Sequence, residues 1–158
     1  MPKEPKSPAL REQALAYLAR REHSRAELER KLAQSGHGNE DIAALLDDFE
    51  ARNWLSDRRF AESWIADHRA KSGPVKLAYE LRQRGVPDSV IEAVLAETRD
   101  SELERAREVW RKKFGAPPAN AQEKARQIRF LQGRGFGLET IRTLLGKHAP
   151  SSTDDISV

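Results

Sequence analysis

Three segments of the chain repeat one another at a near-constant interval, and this periodicity constrains the fold more than any other feature of the sequence. LERKLAQSGHGNEDIAALL (28 to 46) lies over LAYELRQRGVPDSVIEAVL (77 to 95) at a shift of 49 without a gap. Leu28, Leu32, Gly36, Ile42, Leu45 and Leu46 fall on Leu77, Leu81, Gly85, Ile91, Val94 and Leu95. A further shift of 50 puts Leu131, Gly135, Ile141, Leu144 and Leu145 on the pattern, whereas Leu77 meets Gln127 with Ile128 beside it. The third copy is therefore the most divergent.

Within each copy the apolar residues recur at spacings of three and four, as on an amphipathic helix, and the glycine stands where a helix ends in a left-handed residue. Ser24 with Glu27 and Asn120 with Glu123 match the capping box, and Pro74 suits a first helical position. Asn39 or Asp41, Asp88 and the residues around Gly137 are the candidate caps of the helices that follow each glycine. Another helix precedes each pair: ALREQALAYLARRE (9 to 22), SDRRFAESWIADHRA (56 to 70) and SELERAREVWRKKF (101 to 114). Ala14, Ala61 and Ala106 stand four residues before Leu18, Ile65 and Trp110. No segment alternates with period two for long, so strands are not expected. The expectation is an all-α chain of three tandem three-helix repeats, about nine short helices, stacked into an elongated, curved module. The repeats span 9–52, 53–98 and 99–148, between a flexible tail at 1–8 and a disordered one at 149–158.

Charge divides unevenly along this frame. The net charge is −1 over residues 1–52, zero over 53–98 and +6 over 99–148, with Asp154 and Asp155 adding −2 in the tail. Such a surplus suits an acidic partner or an ordinary solvated surface. The absence of cysteine excludes disulfides, thiolate zinc sites and cysteine nucleophiles. MPKEPKSPAL lacks the apolar stretch of a secretory signal, and no run of about 18 apolar residues exists to span a membrane. A soluble, cytoplasmic monomer is expected.

Little in the chain points to catalysis. His23, His37, His68 and His148 are scattered without metal-ligand spacing, so no metal or cofactor is expected. His68 follows Asp67, but helix neighbours point about 100° apart, and it reads as a surface residue. Asp47-Asp48 and Asp154-Asp155 read as solvated carboxylates. Trp54, Trp64 and Trp110 read as core, with Trp54, Leu55, Phe60 and Trp64 filling the space between the first two repeats. RFLQGRGFG (129 to 137) holds three glycines, yet a phosphate-binding loop follows a strand, and here a helix comes first and no Gly-Lys-Ser/Thr is present. The chain is expected not to be an enzyme.

The basic residues of the third repeat are more informative. WRKKFG (110 to 115) is followed by KARQIRFLQGRGF (124 to 136). Arg111, Lys112, Lys113, Lys124, Arg126, Arg129 and Arg134 form one partner-binding face if the helices of that repeat pack together. Such a face suits a phosphate backbone, read without sequence selectivity, and suits an acidic protein groove equally.

Several blocks taken in order resemble the RecX family, bacterial regulators of the RecA recombinase: ALAYLARREHSRAELERKL, NWLSDRRFAESWIADHRA, GPVKLAYELRQRGV, and VWRKKFG followed by KARQIRFLQGRGF. The similarity spans residues 9 to 147. It implies tandem three-helix repeats and a non-enzymatic negative regulator that binds the RecA–DNA filament, limiting its growth or stability and so restraining strand exchange, DNA repair and the SOS response. Two departures stand out. KSGPVKL is shorter than the glycine-rich connector associated with this region, and APSSTDDISV has no family-like feature. The alternative is a nonspecific helical DNA-binding protein acting without RecA, one helix of a pair lying in the major groove. Only Gln83 or Gln132 is placed to read a base edge, so sequence preference is not expected.

Overall fold

The structure, a computed structural model, describes residues 6–146. Residues 1–5 of the expected N-terminal tail, His148, Asp154, Asp155 and the expected C-terminal tail lie outside the described residues. Among the described residues the chain is all helical, without strands: α1 (Lys6–Arg20), α2 (Arg25–Gln34), α3 (Asn39–Ala51), α4 (Asp57–His68), α5 (Pro74–Gln83), α6 (Asp88–Ala96), a 3-10 turn (Arg99–Ser101), α7 (Glu102–Lys113), α8 (Ala121–Gly133) and α9 (Leu138–Gly146). Helix α1 thus begins inside the segment expected to be a tail. The helices gather into two compact units, one built from residues 6–64 with Glu80–Val94, the other from Ile65–Tyr79 with residues 95–146. The middle triplet α4–α6 contributes to both.

In the first unit α1, α2 and α3 close over Leu10, Ala14, Leu28, Leu32, Ile42, Leu46, Phe49 and Leu55. The start of α2 follows from its sequence. Ser24 Oγ accepts from the Glu27 N–H at 3.0 Å while Glu27 Oε1 accepts from the Ser24 N–H at 3.3 Å, a complete capping box. Asn120 Oδ1 likewise accepts from the Glu123 N–H at 2.8 Å as expected, whereas the caps of α3 and α6 differ from expectation. Helix α3 is preceded by Gly38, whose carbonyl accepts from Ile42 N–H at 3.0 Å, so Asn39 and Asp41 lie inside the helix. Glu40 and Asp41, in the first turn, complement the positive helix end. Asp88 is likewise the first residue of α6, where the Pro87 carbonyl takes the Ile91 N–H and Asp88 itself pairs with Arg82 at 3.0 Å.

The tryptophans divide by position. Leu55 and Phe60 are buried, but Trp54 is 42% exposed, contrary to the expected core role. Asn53 ends α3 in the left-handed region (φ 63°), which lets Leu55 enter the core and leaves Trp54 lying over Phe49 at 5.4 Å. The guanidinium groups of Arg52 and Arg11 sit 5.0 and 5.7 Å from its ring. Trp64 is half-buried, its Nε1–H donating to Glu80 at 3.0 Å and its ring carrying Arg84 at 3.9 Å.

His23 is only 1% exposed, although nothing in its spacing marks it. Nδ1 lies 3.1 Å from the Arg21 carbonyl and Nε2 lies 2.9 Å from Lys31 Nζ, which fits a neutral ring donating from Nδ1 and accepting at Nε2. Burial holds its pKa below the ordinary 6.5, and the positive charges of Arg21 and Lys31 act in the same direction, against the Arg21 carbonyl and Glu27. A depressed histidine pKa means that the unfolded chain binds the proton more readily. The stabilisation is therefore complete above about pH 6.5 and declines as pH falls through the folded-state value. Urea midpoints measured from pH 8 to pH 5 should fall in the parent protein more steeply than in His23→Gln; parallel curves would refute this role.

In the second unit α7, α8 and α9 enclose Ala106, Val109, Trp110, Leu131, Phe136, Ile141, Leu144 and Leu145. Gln127, the polar residue at a leucine position, is 3% exposed and fully used. Its Oε1 accepts from Trp110 Nε1–H at 2.8 Å and its Nε2 donates to the Ala116 carbonyl at 3.2 Å. The divergence of the third copy is thus a local exchange of apolar packing for two hydrogen bonds that tie the α7–α8 connection to the core. Restoring the repeat with Gln127→Leu should destabilise the unit by about 1–3 kcal/mol, because the Trp110 N–H and Ala116 carbonyl lose this partner. A urea midpoint at or above that of the parent would show that the apolar residue compensates.

The repeated glycines do more than end helices. Gly36, Gly85 and Gly135 all have positive φ (95°, 83° and 95°), as their spacing predicts. In addition, each of the later two lies hard against the start of a helix within its own unit. A β-carbon on Gly85 would stand 2.3 Å from Ala26 Cβ, and one on Gly135 would stand 2.3 Å from Lys76 Cβ and 2.5 Å from its backbone nitrogen. Hydrogen bonds set these approaches. The Arg84 carbonyl accepts from Ser24 Oγ at 2.6 Å, while the carbonyls of Arg134 and Gly135 accept from the N–H groups of Gly73 and Val75 at 2.7 and 2.9 Å. Carbonyls left over at one helix end thus satisfy donors left over at another. The short KSGPVKL connector has its reason here, because Gly73 has the Gly135 carbonyl carbon 2.6 Å from where a β-carbon would be.

Candidate functional site

The seven basic residues named from sequence occupy three environments. Arg111, Lys112 and Lys113 form the last turn of α7, placed favourably at the negative end of the helix. Arg111 is engaged by Glu108 one turn earlier, an ion pair that raises the guanidinium pKa and lowers that of the carboxyl. Lys112 and Lys113 instead line a groove of about 320 Å³ with Val109, Glu108, Phe130, Arg134, Ala70 and Lys71. Lys113 Nζ lies 5.4 Å, and Arg134 Cζ 5.2 Å, from the centre of the Phe130 ring, which meets Phe114 edge-on at 5.4 Å. Cations over an aromatic face are held without needing a carboxylate. Among the described residues, Lys71, Lys112 and Lys113 have no carboxylate within ion-pair distance.

The helical period separates the remaining residues. Arg126 stands four positions before Phe130 and shares its stripe on α8. Arg129 is one residue from Phe130 and so turned about 100° away, toward the exposed back of the helix. Lys124 is four and seven residues before Ile128 and Leu131, on the core-facing stripe, and is half-buried. The structure therefore gathers Lys112, Lys113 and Arg134, with Arg126 alongside, and does not bring Lys124 and Arg129 to the same groove.

Lys71 is the addition that sequence reasoning missed. It follows α4, far from the third repeat in sequence, yet its carbonyl accepts from Arg134 Nη1 at 3.1 Å. The only sequence signal for it is the short connector that begins at Lys71. Part of the basic surplus is structural instead. Arg105 donates to the carbonyls of Arg69, Ser72 and Thr98 at 3.2 to 3.3 Å and to Ser101 Oγ at 3.1 Å. Burial, then the charge of Arg69, lowers its pKa.

The glycine-rich turn at 129–137 is not arranged as an anion cradle. The Gly135 N–H is bonded to Gln132, the Phe136 N–H to Leu131, and the Gly137 N–H to the Glu102 carboxylate at 3.1 Å. A protein carboxylate thus holds the donor that a phosphate would need. Among the described residues no group of three or more metal-ligating side chains occurs, and no helix is long and apolar enough to cross a membrane.

Comparison with known proteins agrees with this architecture. The family models for the first, second and third three-helix domains of RecX match residues 11–49, 56–95 and 100–145. The regulatory protein RecX of Leptothrix cholodnii is 46% identical over 137 residues, covering 87% of each chain. That of Ralstonia nicotianae is 42% identical over 145 residues, covering 92% of this chain and 90% of the relative. The crystal structure of RecX from Lactobacillus salivarius superposes with a TM-score of 0.80 at 19% identity, covering 89% of this chain and 95% of that one, a likeness of fold. With three domain models matched in order and relatives above 40% identity along most of its length, the chain belongs to the RecX family of regulatory proteins.

Proposed function

We propose that this chain is a non-enzymatic negative regulator that binds the RecA–DNA nucleoprotein filament and restrains its growth or stability, thereby modulating recombination, DNA repair and the SOS response. The relatives are named as regulatory proteins, and the observation that carries the reading here is the groove where Lys71, Lys112, Lys113 and Arg134 converge. These residues come from three separate segments, so folding concentrates positive charge that the sequence disperses. A nucleoprotein filament offers phosphates and acidic protein surface together, and attraction to either speeds docking.

The test is RecA-driven ATP hydrolysis and strand exchange on single-stranded DNA with increasing amounts of the protein. Inhibition is expected, and reversing Arg111, Lys112 and Lys113 to glutamate should weaken it sharply at unchanged helicity. Absence of inhibition by the parent protein would reject the reading. A salt titration on several DNA sequences without RecA separates it from the alternative of direct DNA binding, for which tight binding and full function without the recombinase would be required.

A further inference from the structure

The groove of the second unit has two chemical characters. Its rim carries Lys71, Lys112, Lys113 and Arg134 against one carboxylate, Glu108, which is already engaged by Arg111. Its floor is apolar, formed by Val109 and Phe130 with Phe114 behind the ring. We propose that this groove is the chain's protein-docking site and takes an acidic segment bearing one large apolar side chain. Carboxylates of that segment meet Lys71, Lys112 and Lys113, and its apolar side chain rests on Val109 and the edge of Phe130. This deepens the reading above and rests on it for the identity of the partner.

Three observations favour an acidic protein segment over nucleic acid. Stacking a base requires an open aromatic face, and the Phe130 ring already carries Lys113 and Arg134. An apolar side chain needs only the ring edge, Val109 and the methylene stems of the lysines. The Arg134 guanidinium donates to the Lys71 carbonyl, so it does not present both arms to a phosphate. Glu108 interrupts the cationic rim, which disfavours a continuous phosphate track but leaves room for discrete carboxylates. The volume, about 320 Å³, is roughly that of ten waters, suited to a side chain with its neighbours.

The surface extends past the groove. Val75 and Tyr79, 62% and 58% exposed, stand four residues apart on one face of α5. The Val75 N–H is bonded to the Gly135 carbonyl, next in the chain to Arg134. A segment leaving the groove on that side meets an exposed aromatic residue of the kind enriched in protein interfaces.

The experiment titrates the full chain with a fluorescein-labelled peptide in which Asp and Glu flank one phenylalanine, and in parallel with a labelled thymidine oligonucleotide of equal charge. Saturable peptide binding is expected, weakened roughly tenfold or more by Lys71→Glu with Lys113→Glu and severalfold when the peptide phenylalanine becomes alanine. Arg129→Glu, the same charge change on the back of α8, should leave it near the parent value. Circular dichroism and urea midpoints verify folding, and Lys71→Ala with Lys113→Ala gives a milder loss. No peptide binding, binding indifferent to the groove variants, or an oligonucleotide bound more tightly and lost in the same variants would each overturn the proposal. Inhibition of RecA by the parent protein is measured separately, so the groove assignment can fail while the regulatory reading stands.

Discussion

Gly135→Ala is expected to be among the most destabilising single-methyl changes in the molecule, costing about 2–5 kcal/mol in the second unit. Two effects add. An L-residue in the left-handed region costs about 1–2 kcal/mol, and overpacking against a rigid neighbour about 1–3 kcal/mol. The new β-carbon meets backbone, with Lys76 N at 2.5 Å and Cα at 3.0 Å, so no rotamer change relieves it. Gly36 isolates the first effect: it has the same φ of 95° and nothing within 4 Å of the added carbon, so Gly36→Ala should cost only about 1–2 kcal/mol. Gly73→Ala isolates the second, because Gly73 has no left-handed φ but would press on the backbone of Gly135 and Phe136 at 2.6 to 2.7 Å. Gly85→Ala should be rescued in part by Ala26→Gly, since the nearest obstruction is Ala26 Cβ and the Ala26 Cα lies at an ordinary 3.7 Å. Urea unfolding of the four single variants and the one double variant decides the matter. Equal losses at Gly36 and Gly135, or no rescue at Gly85, would show that helix termination alone explains these glycines.

That ordering also marks what could be read before folding. The repeat put Leu32, Leu81 and Leu131 on one register, and all three are buried, as are Ile42, Ile91 and Ile141. A period of three and four residues is a local signal, so helix type and core face follow from it. The same register identifies the glycines as helix ends, because left-handed backbone is a property of the chain itself. Their second role is invisible there, since it depends on Lys76 and Ala26 arriving from another helix. The same limit explains His23 and Trp54. One is enclosed by Arg21, Lys31 and Tyr17, the other is turned outward by the conformation of Asn53. At the candidate site, the α7 lysines were legible as a run of charge. Which of their neighbours join them was not, because Lys71 is brought to Arg134 by tertiary hydrogen bonding and Arg105 is withdrawn in the same way.

Within the basic run, the three adjacent cations should contribute unequally. Lys112→Glu with Lys113→Glu is expected to weaken inhibition of RecA-driven ATP hydrolysis roughly tenfold or more, since both residues line the groove and reversal turns attraction into repulsion. Arg111→Glu should have the smaller effect, because the parent guanidinium is already committed to Glu108 and projects less net charge toward a partner. A pure charge count instead makes Arg111→Glu worth half of the double reversal regardless of position, so an effect well below half is the discriminating result. Salt distinguishes the two kinds of partner. If the lysines touched phosphates, the double reversal would flatten the dependence of log K on log salt by about 0.7 for each single-strand phosphate no longer neutralised. A carboxylate partner releases no condensed counterions of that kind, so the slope should change little while association slows at low salt. The docking proposal puts Lys112 and Lys113 in the second case and leaves Arg129, on the back of α8, as the residue from which a phosphate contribution would come. Arg129→Glu should therefore reduce the salt slope of filament binding while sparing the peptide. A slope that responds only to Lys112 and Lys113 would place the nucleic acid in the groove instead.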